Sequence, residues 1–205
     1  MEHLPLDINK FGFVQREICN GLTVKYKCGR DFLYYALHFL LPSKFNSETN
    51  NPQEIDRNHF FGLTVPVWLA WTQLQFYKMP TFLKRLSLEL KINDVKVTNF
   101  LKFFYAMLFS RISYENALEK IEGNVKNGLV SGVDLALRWQ GLEDHVLFVY
   151  GYDVENLYVF DTNKVPSLEY EKLTDDERYY MKLPKSVVKK RWKTFSRVWE
   201  VYKVD

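Results

Sequence analysis

Residues 145–161 read His-Val-Leu-Phe-Val-Tyr-Gly-Tyr-Asp-Val-Glu-Asn-Leu-Tyr-Val-Phe-Asp, and this stretch leaves the backbone little choice. Val146 to Tyr150 is an apolar, β-branched and aromatic run, which predicts a strand. Asp153 to Asn156 supplies turn residues, and Leu157 to Phe160 predicts the returning strand. At roughly 3.3 Å per residue, such a hairpin carries Asp161 back beside its own start, near His145. A carboxylate there holds one imidazole nitrogen and leaves the other free as a base. Asp144, next to His145, would point to the opposite face of a strand, which makes Asp161 the better orienting group.

A base of this kind needs a nucleophile, and the candidate lies far upstream. Cys28 precedes Gly-Arg-Asp-Phe-Leu-Tyr-Tyr-Ala-Leu-His-Phe-Leu-Leu, a run of helix formers and aromatics with no breaker until Pro42. Cys28 is thus expected at the N-terminus of a buried helix that ends near Leu41. Unpaired N–H groups and the positive end of the dipole favour a thiolate at that point. Lys25, Lys27 and Arg30 push the same way. Most free cysteines are small buried hydrophobes, and Cys28 stands out from that background because of the hairpin downstream.

The pattern of Cys at a helix start, a helical middle, His on a hairpin and Asp at its far end resembles the papain-like cysteine peptidases. The resemblance is closest to the branch of bacteriocin leader peptidases, the double-glycine peptidases. Its carriers are Cys28-Gly29, then His145 with Gly151-Tyr152-Asp153 and Asp161, then Pro184 to Trp192 and Phe195 to Val204 as a late helix and final strand. Residues 43–127 carry no motif that aligns. The resemblance implies an α+β, papain-like fold with a central N-terminal helix on an antiparallel sheet, and one domain over residues 1–205. It also implies a thiol-dependent peptidase or amidase in which Cys28 attacks a carbonyl, His145 is the base and Asp161 orients it. The same triad serves an acyltransferase if an amine or alcohol resolves the acyl-enzyme, so the substrate is a peptide or a small acyl or amide compound, free or carrier-bound.

One position departs from the family pattern. Where that branch carries a glutamine ahead of the nucleophile, contributing to the oxyanion hole, this chain has Leu22. Gln15 and Asn20 are the nearest candidates to replace it, and the departure also allows a papain-like scaffold kept for binding alone. Trp139 and Gln140 lead into His145 and are candidate substrate contacts at the cleft mouth.

Elsewhere the chain gives structural signals. Ser113 is a plausible N-cap for a helix over Tyr114 to Lys126, closed by Asn127-Gly128. Asn93-Asp94 marks a turn, and Asn99 to Phe109 is apolar almost all round, which predicts burial on every side. Val65 to Tyr77 reads as a helix with Pro66 in its first turn, and residues 129–137 and 195–202 read as strands. Leu83 to Ile92 fits neither period cleanly. Lys185, Lys189, Lys190, Arg191, Lys193 and Arg197 read as a solvated basic helix face behind Val187, Val188 and Trp192.

Charge and composition exclude several classes. With 28 Lys and Arg against 25 Asp and Glu, a net +3 gives no electrostatic case for nucleic acid or a membrane surface. Histidines 3, 38, 59 and 145 show no metal-ligand spacing with each other or with Cys19 and Cys28, and no phosphate-binding glycine loop occurs, so neither metal nor cofactor is expected. The first ten residues lack the pattern of a signal peptide, and no apolar run approaches the ~20 residues of a membrane span. These features predict a cytoplasmic chain with reduced thiols.

Overall fold

The computed structural model describes residues 1–6, 28–45, 78–136, 144–160, 171–172 and 180–204. Their strands are β1 (Glu2–His3), β2 (Leu88–Ile92), β3 (Val95–Lys96), β4 (Val130–Ala136), β5 (Asp144–Tyr152), β6 (Asn156–Phe160), β7 (Glu171–Lys172), β8 (Tyr180–Pro184) and β9 (Arg197–Lys203). All nine join one sheet, in the order β3-β2-β9-β4-β5-β6-β8-β7, with β1 added to β5. Every pairing is antiparallel. The helices are α1 (Cys28–Leu40), α2 (Met79–Arg85), α3 (Phe100–Phe109), α4 (Tyr114–Lys126) and α5 (Lys185–Arg191). The described residues are therefore α+β.

Strand alternation divides the core into two clusters, one on each face. Val130, Val146, Phe148, Tyr150, Phe160, Trp199 and Val201 join Phe32 to Leu37 of α1 and Phe103, Ala106 and Met107 of α3. On the opposite face, Val133, Leu135, Leu147, Val149, Leu157, Val159 and Val198 meet Ala117, Ile121 and Val125 of α4 and Val187 and Val188 of α5. The sheet is buried on both sides, which explains why β5 reads as a continuous apolar run.

The hairpin legible in the sequence is present and its turn is heavily bonded. Asp153 Oδ1 accepts from the Glu155 and Asn156 amides at 2.8 and 2.7 Å, and the Tyr158 hydroxyl donates to Oδ2 at 2.7 Å. Led by the Tyr158 bond, these contacts hold the Asp153 carboxyl down at about 2. Gly151 is required by close approach, since a Cβ there would stand 2.9 Å from the Glu2 carbonyl oxygen of β1.

Helix α4 spans Tyr114–Lys126 as expected, with Ser113 Oγ accepting from the Asn116 amide at 3.2 Å and Gly128 at φ +70° beyond its end. Asn93 and Asp94 make the β2–β3 turn with φ of 45° and 70°. The ambiguous stretch 83–92 divides between α2 and β2 at Ser87, which takes φ 54°.

Two expectations are corrected. Helix α3 is not buried on every side: Leu101, Tyr105 and Phe109 are 77, 51 and 63% exposed, because only the Phe103, Ala106 and Met107 face meets the core. Arg197 does not belong to a solvated basic face. It lies on β9 and is 3% exposed, because strand alternation turns it inward toward Asp134.

Candidate active site

Cys28 is the first residue of α1, as the sequence predicts, and it packs half-buried against the cluster on the α1 face. The direction of α1 over the sheet follows from its contacts. Phe32 lies over the row Trp199–Gly132–Phe148, with ring centroids 5.7 Å from Trp199 and 6.1 Å from Phe148. A Cβ on Gly132 would stand 2.6 Å from the Phe32 ring, so glycine is what lets the helix approach. At its other end, Phe39 and Leu40 share a surface groove with Gly128, Leu129, Glu200, Tyr202 and Lys203.

Helix α1 thus runs antiparallel to β4, and its N-terminus points toward the end of the sheet where β4 stops and β5 starts. Four helical residues, at ~1.5 Å each, separate Cys28 from Phe32, and two strand residues at ~3.3 Å cover the same distance. By these rises Cys28 falls level with the row Arg197–Asp134–Val146. His145, the second residue of β5, is one residue further on and pairs with Leu135.

The face on which His145 stands is a separate matter. Its strand neighbour Leu147 and its cross-strand partner Leu135 both belong to the α4–α5 cluster, whereas Cys28 belongs to the α1 cluster. Alternation therefore starts the His145 side chain on the side away from α1, where it is 3% exposed. A Cys28–His145 dyad requires the imidazole to reach the thiol around the starting end of β5.

Sequence reasoning missed a buried charged group on the α1 face of the sheet. Asp134 is fully buried on the α1 face, and its Oδ2 accepts from Arg197 Nη1 at 3.1 Å and from Trp199 Nε1 at 3.3 Å. Arg197 Nη2 donates in turn to the Met107 carbonyl in the last turn of α3. A guanidinium at that helix end meets the negative pole of the dipole. The signal was available: Asp134 is a lone carboxylate in Val-Ser-Gly-Val-Asp-Leu-Ala, a strand otherwise apolar or small.

His38 lies on α1 with Cys28, ten residues on and ~15 Å away along the axis, too far to serve as its base. Its ring is buried, 4.3 Å from that of Tyr34, with no hydrogen-bond partner for Nε2, and burial lowers its pKa to about 4. Asp161, Gln15, Asn20, Leu22, Trp139 and Gln140 lie outside the described residues, as do His59 and the helix expected over residues 65–77. Among the described residues no helix is long and apolar enough to cross a membrane.

No protein-family model, no curated protein and no solved structure matches this chain.

Proposed function

We propose that this chain is a thiol-dependent hydrolase of papain-like arrangement, acting on peptide or amide bonds through Cys28, His145 and Asp161. The observation that supports it is the direction of α1, whose N-terminal Cys28 points toward the end of the sheet where β5 begins, with His145 as its second residue. In this reading the Cys28 thiolate attacks the carbonyl carbon, and the thiol proton passes to His145. The protonated imidazole gives that proton to the leaving amine as the C–N bond breaks. Water, deprotonated by His145, then cleaves the thioester and releases the acid. An amine or alcohol at this last step makes the same chemistry an acyl transfer.

A second reading has an observation in its favour. His145 starts on the face opposite Cys28 and is buried, which suits a structural histidine in a scaffold used for binding. Labelling separates the two. A peptide-based electrophile should modify Cys28 in the folded protein at least tenfold faster than Cys19, with a pH profile that disappears in His145→Ala. Equal rates at both cysteines, or a Cys28 rate indifferent to His145→Ala in a variant whose circular dichroism is unchanged, would sink the catalytic reading and leave the binding one.

A further inference from the structure

Helix α3 is apolar on two faces, and only one of them is used. Phe103, Ala106 and Met107 are buried in the core, while Leu101, Tyr105 and Phe109 stand outside at 77, 51 and 63% exposure. Their four-residue spacing stacks them on one ridge of the helix, about 12 Å long. The rings of Tyr105 and Phe109 are 5.5 Å apart, so the ridge is continuous. Isolated exposed apolar residues are ordinary, but three in register on one rigid helix mark a contact surface.

Charge on the two helices that carry and flank the ridge is one-sided, and the carboxylates of the adjoining β2–β3 hairpin, Glu89 and Asp94, are paired with Lys96 and Lys120. Residues 78–88 and 97–112 hold α2 and α3, which pack together, and contain Lys78, Lys84, Arg85, Lys102 and Arg111 but no Asp or Glu. All five cations are exposed. Lys102 stands 5.9 Å from the Tyr105 ring in the first turn of α3, and Arg111 follows its last turn. Neither Lys84, Arg85, Lys102 nor Arg111 forms an ion pair among the described residues, although the whole chain carries 25 acidic groups.

We propose that the Leu101–Tyr105–Phe109 ridge docks an amphipathic helix of a partner protein, apolar on one face and rimmed by Asp and Glu. A ridge with i, i+4, i+8 spacing matches the groove of an apposed helix, and cations at both of its ends match an acidic rim. A second copy of this chain is a poor occupant, because its own surface would bring like charges together. A lipid surface is also poor, because the chain's net charge of only +3 gives little attraction to an anionic bilayer. The proposal does not depend on the chemistry assigned to Cys28.

The test uses two displayed libraries of helical peptides with randomised apolar positions, one with Asp and Glu on the polar face and one with Lys and Arg. Selection on the full chain should enrich the acidic library alone. The best binder should weaken at least tenfold against Leu101→Ser/Phe109→Ser, and weaken again against Lys102→Glu, with thermal midpoints unchanged. Its affinity should fall as salt rises. Failure to enrich, equal enrichment of the basic library, or binders indifferent to the double variant would overturn the proposal. So would sedimentation with phosphatidylserine vesicles, or concentration-dependent dimerisation, that the double variant abolishes, since either assigns the ridge to another occupant.

Discussion

Asp134 is a carboxylate taken wholly out of water in the middle of a sheet, where Arg197 and Trp199 of β9 donate to it. Removing one partner of a buried pair leaves the other charge uncompensated, which costs about 3–5 kcal/mol. Asp134→Ala should lower unfolding free energy by that amount in urea titrations, whereas Asp134→Leu with Arg197→Met should recover most of it. A single-variant cost near that of a surface substitution would show that water reaches the pair. His38 makes a different demand, one that depends on pH. Unfolded, it titrates near 6.5; folded, burial lowers it to about 4. Between those values only the unfolded chain takes up the proton, so stability is lost as pH falls from about 6.5 to about 4. Above 6.5 this group contributes no pH dependence. The loss is on the order of 2–3 kcal/mol. The Asp153 carboxyl, held at about 2 by Tyr158 and backbone amides, acts in a separate and lower window. Replacing His38 with Phe should therefore flatten stability between pH 6.5 and 4, and parallel curves for the two proteins would refute this account.

At the scale of elements, what could be read depended on whether the signal was local. Helix α4 is bounded by Ser113 and Asn127-Gly128, and the β5–β6 turn is set by Asp153, so both were legible from neighbouring residues. The α2–β2 break was not, because Ser87 takes φ 54° where no glycine marks it and Leu-Lys-Arg-Leu-Ser-Leu-Glu-Leu suits either period. Composition gave α3 its apolar character but not which of its faces meets the core. The same limit governs the candidate site. A helix starting at Cys28 and a strand carrying His145 could be read locally, but the face of the sheet on which α1 packs is a property of the assembled layers. That face is fixed at Gly132, whose missing side chain accommodates Phe32. A larger residue there must push α1 off the sheet. Gly132→Val should cost about 1–3 kcal/mol, the range for overpacking a core, and should slow labelling of Cys28 by displacing the N-terminus of α1. Unchanged stability would mean that Phe32 turns aside without cost.

For the whole molecule, the decisive element comes last in the described sequence. Strand β9 pairs with β2 along Leu88–Ile92 on one side and with β4 along Val130–Asp134 on the other. Among the described residues, strands β2 and β3 join the rest of the sheet only through it. It also supplies Val198, Trp199 and Val201, each 0 or 1% exposed, and the Arg197 that neutralises Asp134. Burying each of those apolar side chains contributes about 1.5–3 kcal/mol, and a buried charge left without its partner adds a further cost. Together these reach the 5–15 kcal/mol that a domain has in total. The chain lacking residues 197–205 should therefore show no cooperative thermal transition, and should be cleaved by protease throughout the β2–β4 region. Removing residues 1–3 instead takes away an exposed two-residue edge strand, and should leave the transition intact. Because β9 pairs with β2, a strand begun over a hundred residues earlier, the sheet cannot close until nearly the whole described chain is available, and refolding should be slow. A truncated chain that still unfolds cooperatively would show that β4 to β8 with α4 and α5 form a unit stable without the central strand.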